Sequence, residues 1–282
     1  MRIANLNGRA HLLRRDKAVD IAEASAGAFG PDPMSLYQQW PDFVAWASAQ
    51  SEFTTSRDYS PEELGAPIPQ PRQVFAIGLN YAEHAAETGM VGTSGGIPPL
   101  FTKFATSLTG PHGHIMLSGS AVDWEVELVA AIGIEATKVT ADTAWSHVAG
   151  LMVGQDLSDR EVQMSGPYPQ FSLGKSFPGY GPTGPALVTL DEIAGSDPLR
   201  LRCWVNDELV QDATTDQMLM SIPTLIERIS AVCTLYPGDL IFTGTPAGVG
   251  MGRTPPRYLQ PGDALRTRID GVGEMLHAVT VR

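Results

Sequence analysis

Two glutamates, Glu125 and Glu127, stand two residues apart inside the apolar run 122–132, and Asp156 closes a second apolar run, 148–156. The first run has no helical stripe and is rich in β-branched residues, which predicts a half-buried strand. Residues i and i+2 of a strand share a face, about 7 Å apart at ~3.4 Å per residue. Two carboxylates brought to 4 Å repel by about 4 kcal/mol at an effective dielectric near 20. A shared proton or a cation relieves that repulsion, and a third acid favours the cation. Three carboxylates with no Cys or His between them suit a hard, oxygen-loving ion: Mg²⁺, Mn²⁺ or Ca²⁺. Trp124, Val126 and Leu128 alternate with the acids, so a one-sided sheet with a solvated acidic face fits the same residues.

A second set of residues offers proton transfer and anion recognition. Asn80-Tyr-Ala-Glu83-His84-Ala-Ala-Glu87-Thr-Gly89 predicts a short helix. Asn80 serves as N-cap, Glu83 completes a capping box and Gly89 stops the helix. His84 and Glu87 share a helix face. A carboxylate beside an imidazole orients it and raises its basicity, as a general base requires; a surface helix with one His and one Glu reads the same way. The stretch 89–99 is glycine-rich and suits a lid. Arg160 and Gln163, three apart, can aim donors at one oxyanion. Lys175 stands alone in the apolar segment Phe171-Ser-Leu-Gly174-Lys175-Ser-Phe177, and a buried lysine is rare unless paired or functional. Surface salt bridges are the alternative for both cations. Thr243-Gly-Thr245-Pro-Ala-Gly248-Val-Gly250 can hold a carboxylate with backbone N–H groups and the Thr245 hydroxyl. Asp123 shares the face of the glutamates and either supports the site or faces solvent. Gly248-x-Gly250-x-Gly252 precedes Pro255-Pro256 rather than a helix, which argues against a dinucleotide loop. His112-Gly-His114 lacks a third His or Cys nearby and reads as a loop.

The elements that must position these groups are legible in outline. Alternating apolar residues flank Asn7-Gly8 and predict a hairpin over 1–14. A helix is expected over 33–49, with Trp40, Phe43, Val44 and Ala47 on one side and Pro41 signalling a break. Pro61, Pro67, Pro69 and Pro71 mark a linker, which divides a small N-terminal domain, 1–66, from a main domain, 67–282. From residue 73 onward short apolar runs separated by Gly and Pro predict a sheet-rich core. A helix is expected from Ser221 to Leu235, ended by Pro237-Gly238-Asp239. Asp270-Gly271 predicts a late hairpin. The 282-residue chain is 43% hydrophobic and 18% charged, a globular composition. Its net charge of -12 argues against nucleic-acid or anionic-membrane partners. An anionic substrate remains compatible, because a metal with a few Lys and Arg inverts the field locally. No signal-peptide pattern and no membrane-length apolar run is present. Cys203 and Cys233 are expected to be reduced and structural in a cytoplasmic protein.

Six segments, in order, resemble the fumarylacetoacetate hydrolase family: Gly78-Leu-Asn80-Tyr-Ala-Glu-His84, Phe101-Thr-Lys103, Asp123-Trp-Glu125-Val-Glu127-Leu, Gln155-Asp156-Leu-Ser-Asp-Arg160, Gly174-Lys175-Ser-Phe, and 237–250. The resemblance implies an α+β, β-rich fold: a mixed β-roll or barrel core with a small N-terminal α/β domain. It implies a divalent ion, usually Mg²⁺, on Glu125, Glu127 and Asp156, and a His84–Glu87 pair on the lid that activates water. Lys175, Arg160 and Gln163 would bind the oxygens of a small keto-acid substrate and Thr245 its carboxylate end, in a homodimer. Glu161 stands where Asp is common, and Pro178-Gly179 where many members carry an Asp. The implied activity is metal-dependent hydrolysis of a carbon–carbon bond in acylpyruvate-like or related β-diketo acids. Oxaloacetate decarboxylation and 2-hydroxydiene-dioate isomerisation or decarboxylation fit the same scaffold. A non-catalytic Ca²⁺-binding β-domain would explain the acids but not Lys175, Arg160 or the lid.

Overall fold

The computed structural model describes residues 1–50, 53, 55–89, 99–193, 195 and 198–281. The chain begins as expected, with Arg2–Leu6 and Arg9–Arg14 paired around Asn7 and Gly8, both at positive φ. A third strand, Lys17–Asp20, extends the hairpin. The predicted helix over 33–49 is two helices, Pro33–Gln38 and Trp40–Ala49. Gln39 leaves helical geometry, and Pro41 sits in the first turn of the second helix, where its missing N–H has no helical partner to lose. The proline-rich segment carries a short strand, Leu64–Gly65, which pairs with Arg2–Leu6.

Two sheets form the core. The larger runs in the order Lys17–Asp20, Arg9–Arg14, Arg2–Leu6, Gly181–Val188, Val148–Gln155, Val126–Ile132, Leu240–Phe242, Val74–Ile77, Leu100–Thr102. It is mixed: Leu240–Phe242 runs parallel to Val74–Ile77, while Val126–Ile132 is antiparallel to both its neighbours. The second sheet has the order Glu208–Thr214, Arg200–Val205, Ala264–Ile269, Gly273–Thr280, His112–Met116. The hairpin at Asp270-Gly271 is present, and His112-Gly-His114 lies in an edge strand rather than a loop. The late helix is shorter than expected, Ile222–Ser230. Both cysteines are free; Cys203 is buried in a strand, whereas Cys233 is exposed beyond that helix. Among the described residues no helix is long and apolar enough to cross a membrane.

Val126–Ile132 is buried at every position, not half-buried. Val126, Leu128, Ala130 and Ile132 share a core cluster with Leu201, Val205, Leu265 and Met275 of the second sheet. Val129 and Ala131 pack in another cluster with Trp40 and Phe43 of the N-terminal helices. By alternation Glu127 lies on the Val129 side, and Glu125, just before the strand, is buried as well. The carboxylates therefore enter an interior, and the solvated acidic face is ruled out.

Candidate active site

The run that carries the glutamates is not one strand. Val122–Asp123 pairs with Ser158–Asp159, Val126–Ile132 pairs with Val148–Gln155, and both segments break between those pairings. The backbone N–H groups at the break are satisfied by glutamine side chains. The Glu125 N–H donates to Gln155 Oε1 at 2.8 Å and the Val126 N–H to Gln211 Oε1 at 2.9 Å. The Asp156 N–H donates to the Glu125 carbonyl at 3.0 Å, which sets the two acids side by side. Carboxylate oxygens of Glu125, Glu127 and Asp156 all lie within 4.8 Å of one another, and all three residues are buried.

Cations hold part of this cluster. Lys175 Nζ bridges Glu125 Oε2 and Asp156 Oδ2, each at 2.8 Å. Arg160 Nη2 donates to Glu125 Oε1 at 2.7 Å. Lys103 Nζ, fully buried, donates to Asp156 Oδ1 at 2.7 Å and to the carbonyls of Lys175 and Tyr180. Burial opposes the charge on Glu125, but Lys175 and Arg160 outweigh it and hold its pKa at about 2. Burial likewise opposes the Lys175 ammonium, and Asp156 with Glu125 more than restores it. For Lys103 burial wins over Asp156 and lowers the pKa. Glu127 differs. Among the described residues it has no Lys or Arg partner and accepts only from the Gly244 N–H, at 2.8 Å. Burial, then Asp156 and Glu125, push its carboxyl well above the ordinary range. A carboxylate that lacks a cation, next to two others at coordination spacing, fits a hard divalent ion. Four acids, counting Asp123, face Lys103, Arg160 and Lys175, so such an ion would leave the site net positive, which suits an anionic ligand.

His84 and Glu87 lie on the helix Ala82–Thr88, with His84 Nδ1 2.8 Å from Glu87 Oε1. Glu87 also accepts from the Gly248 N–H at 3.0 Å. Gly89 ends the helix at φ 67°, as expected. Asn80 does not cap it: its amide donates to the carbonyls of Met220 and Thr243 and accepts from the Met220 N–H, which ties the start of the helix to the segment before Ile222–Ser230 and to the end of Leu240–Phe242. Residues 90–98 of the predicted lid lie outside the described residues. His84, Glu125, Arg160, Gln163, Lys175 and Thr245 line one cleft.

Gln163 Oε1 accepts from Arg160 Nη1 at 2.9 Å, so the pair is mutually fixed and the Gln163 amide turns its NH₂ away from Arg160. Gly174 lets its own segment pack against the backbone of 159–163, since a Cβ there would lie 2.8 Å from the Gln163 backbone nitrogen. Thr245 Oγ1 accepts from Gln211 Nε2 at 2.8 Å, which leaves its proton for a ligand. Three of the backbone N–H groups in the segment expected to hold a substrate carboxylate are spent on the protein's own acids. Gly244 serves Glu127, Gly248 serves Glu87, and Gly250 and Met251 serve Asp123. Asp123 is wholly buried and does not face solvent. Sequence reading assigned no role to Lys103, Gln155 or Gln211. Lys103 shows the signal that marks Lys175, a lone cation in apolar text; the glutamines act through a tertiary backbone break that no local pattern announces.

Residues 73–280 match the family model described as fumarylacetoacetate (FAA) hydrolase C-terminal. The mitochondrial oxaloacetate tautomerase FAHD2B of Bos taurus is 42% identical over 216 residues, covering 76% of this chain and 68% of its own. A crystal structure of a provisionally named HpcE protein from Mycobacterium smegmatis superposes with a TM-score of 0.95 and 49% identity, covering 100% of this chain and 99% of that one. Maleylpyruvate hydrolase from Sphingobium sp. SYK-6, in complex with manganese(II) ion and pyruvate, gives a TM-score of 0.80 and 29% identity over 100% of this chain and 99% of its own.

Proposed function

The chain belongs to the fumarylacetoacetate hydrolase family, and from that premise we propose a divalent-metal-dependent hydrolase that cleaves a carbon–carbon bond in acylpyruvate-like or related β-diketo acids. The observation that carries the reading is the His84–Glu87 pair, a carboxylate-oriented imidazole that shares one cleft with Glu125, Lys175 and Arg160. A Mg²⁺ ion on Glu125, Glu127 and Asp156 would supply Lewis-acid polarisation of the adjacent carboxylate and keto oxygens of a 2-oxo acid. Arg160 Nη1 and Gln163 Nε2 donate to the substrate oxygens, and the Thr245 hydroxyl to its carboxylate end. Glu87 holds the proton on His84 Nδ1, which leaves Nε2 to take a proton from water. That water adds to the carbonyl remote from the carboxylate. The bond between this carbonyl carbon and the methylene breaks, the electron pair passes to the methylene side, and pyruvate leaves as its enolate. The acyl group departs as a carboxylic acid, and His84 returns its proton to the methylene carbon. The Lys175 ammonium faces the developing oxyanion.

The identity to an oxaloacetate tautomerase favours a second reading. The same base moves a proton between carbon and oxygen of oxaloacetate without any attacking water. A panel of acylpyruvates and enol-oxaloacetate, assayed with Mg²⁺, separates the two. Stoichiometric pyruvate from an acylpyruvate supports the hydrolase. Loss of enol absorbance without pyruvate supports the tautomerase, and neither signal sinks both.

A further inference from the structure

Asp123 is the one acid of the buried cluster that this chemistry leaves without a role, and it receives five donors. Its Oδ2 accepts from Arg160 Nε at 2.9 Å, Arg160 Nη2 at 2.8 Å and the Met251 N–H at 3.0 Å. Its Oδ1 accepts from the Trp124 N–H at 2.9 Å and the Gly250 N–H at 2.7 Å. A guanidinium has five N–H donors in a rigid fork. In Arg160 the Nε–H goes to Asp123, Nη2 is divided between Asp123 and Glu125, and one Nη1–H goes to Gln163. One Nη1–H remains, and Arg160 lines the cleft. Without Asp123 nothing would grip the Nε edge of the fork, and the plane would be free to turn about its remaining contacts.

We propose that Asp123 is a positioning residue: it orients the Arg160 fork so that a single Nη1–H meets the substrate oxygens, and it ties that fork to residues 250–251. The proposal rests on the reading of Arg160 as a substrate ligand. An asparagine cannot replace the carboxylate. All five partners are donors, so its NH₂ opposes either the guanidinium or two backbone N–H groups.

The test is calorimetry on the Mg²⁺-loaded protein with oxalate as probe, in wild type, Asp123→Asn, Arg160→Lys and the double variant. Asp123→Asn should weaken oxalate by about 10- to 100-fold, the scale of a charge-assisted contact, and leave the Mg²⁺ affinity within about threefold. Arg160→Lys should weaken oxalate as well. In that background Asp123→Asn should add no more than about twofold, because an ammonium has no fork to orient. If Asp123→Asn does not fold, Asp123→Glu, which moves the charge by one methylene, should give the same pattern at smaller size. Wild-type oxalate binding in the Asp123 variants overturns the proposal, as does a double variant that loses the full product of the single effects. If Arg160→Lys binds oxalate normally, the Arg160 reading itself falls and the proposal with it.

Discussion

Replacing Lys103 by methionine removes a buried cation while keeping a side chain of similar length. Both Lys103 and Asp156 are 0% exposed, so neither can turn to water when the other is lost. Removing one partner of a buried ion pair costs about 3–5 kcal/mol. The Lys175 carbonyl also loses its donor, at about 1–3 kcal/mol if left unpaired, whereas the Tyr180 carbonyl keeps the Leu157 N–H at 3.1 Å. These terms are coupled, and Lys175 still holds Asp156 at 2.8 Å, so roughly 4–6 kcal/mol is the expected net loss. At about 2–3 °C per kcal/mol for a chain of this size, the melting temperature should fall by roughly 10 °C. Thermal unfolding with EDTA and with excess Mg²⁺ measures it. The ion should recover part of the loss, because it would take up the charge Lys103 leaves on Asp156. A melting temperature within about 2 °C of wild type in EDTA would refute the reasoning.

Glu127→Gln should bind Mg²⁺ at least about 100-fold more weakly, yet melt no lower than wild type in EDTA, because burial and two neighbouring acids already disfavour its charge; a large drop in EDTA would contradict that. His84→Ala should cut hydrolytic turnover by about 10²–10⁴ and leave Mg²⁺ affinity unchanged; titration calorimetry beside the rate assay checks both halves. His277 should give stability a pH dependence that originates remote from the site. Burial, with help from His112, lowers its pKa from 6.5 to about 4, and its Nε2 lies 3.1 Å from the Gly110 carbonyl. The unfolded chain therefore takes up a proton that the folded one refuses. Stability from this group is whole above pH 6.5 and falls by up to about 3 kcal/mol as pH drops towards 4. Urea midpoints at pH 7.5 and 5 should lie closer together in His277→Gln than in wild type, and equal spacing would exclude His277.

The parts of the molecule that sequence disclosed were those written in local pattern. The turn at Asn7-Gly8, the helix break just before Pro41 and the cluster of Glu125, Glu127 and Asp156 all follow from spacing and residue type. What escaped depends on segments distant in sequence. Val126–Ile132 loses its solvent face because Trp40 and Phe43, more than eighty residues upstream, share the cluster of Val129 and Ala131. Asn80 matches a capping box in one dimension, yet its amide finds Met220 and Thr243 instead. The segment 243–250 reads as a ligand cradle, since nothing in it shows that Glu127, Glu87 and Asp123 already occupy the amides of Gly244, Gly248 and Gly250. Lys103 was within reach, as the counterpart of Lys175 on the other oxygen of Asp156.

The central claim is that the three buried carboxylates hold a divalent ion beside the His84–Glu87 base. It is tested most directly by a crystal soaked with Mn²⁺ and oxalate and measured for anomalous scattering. The account predicts one strong peak within about 2.0–2.6 Å of oxygens from Glu125, Glu127 and Asp156, the range of hard-cation ligands. Oxalate should complete the coordination and reach towards Arg160. No peak at the triad in a crystal that holds Mn²⁺ elsewhere, or a triad still closed on Lys175 with oxalate bound outside the cleft, would contradict it.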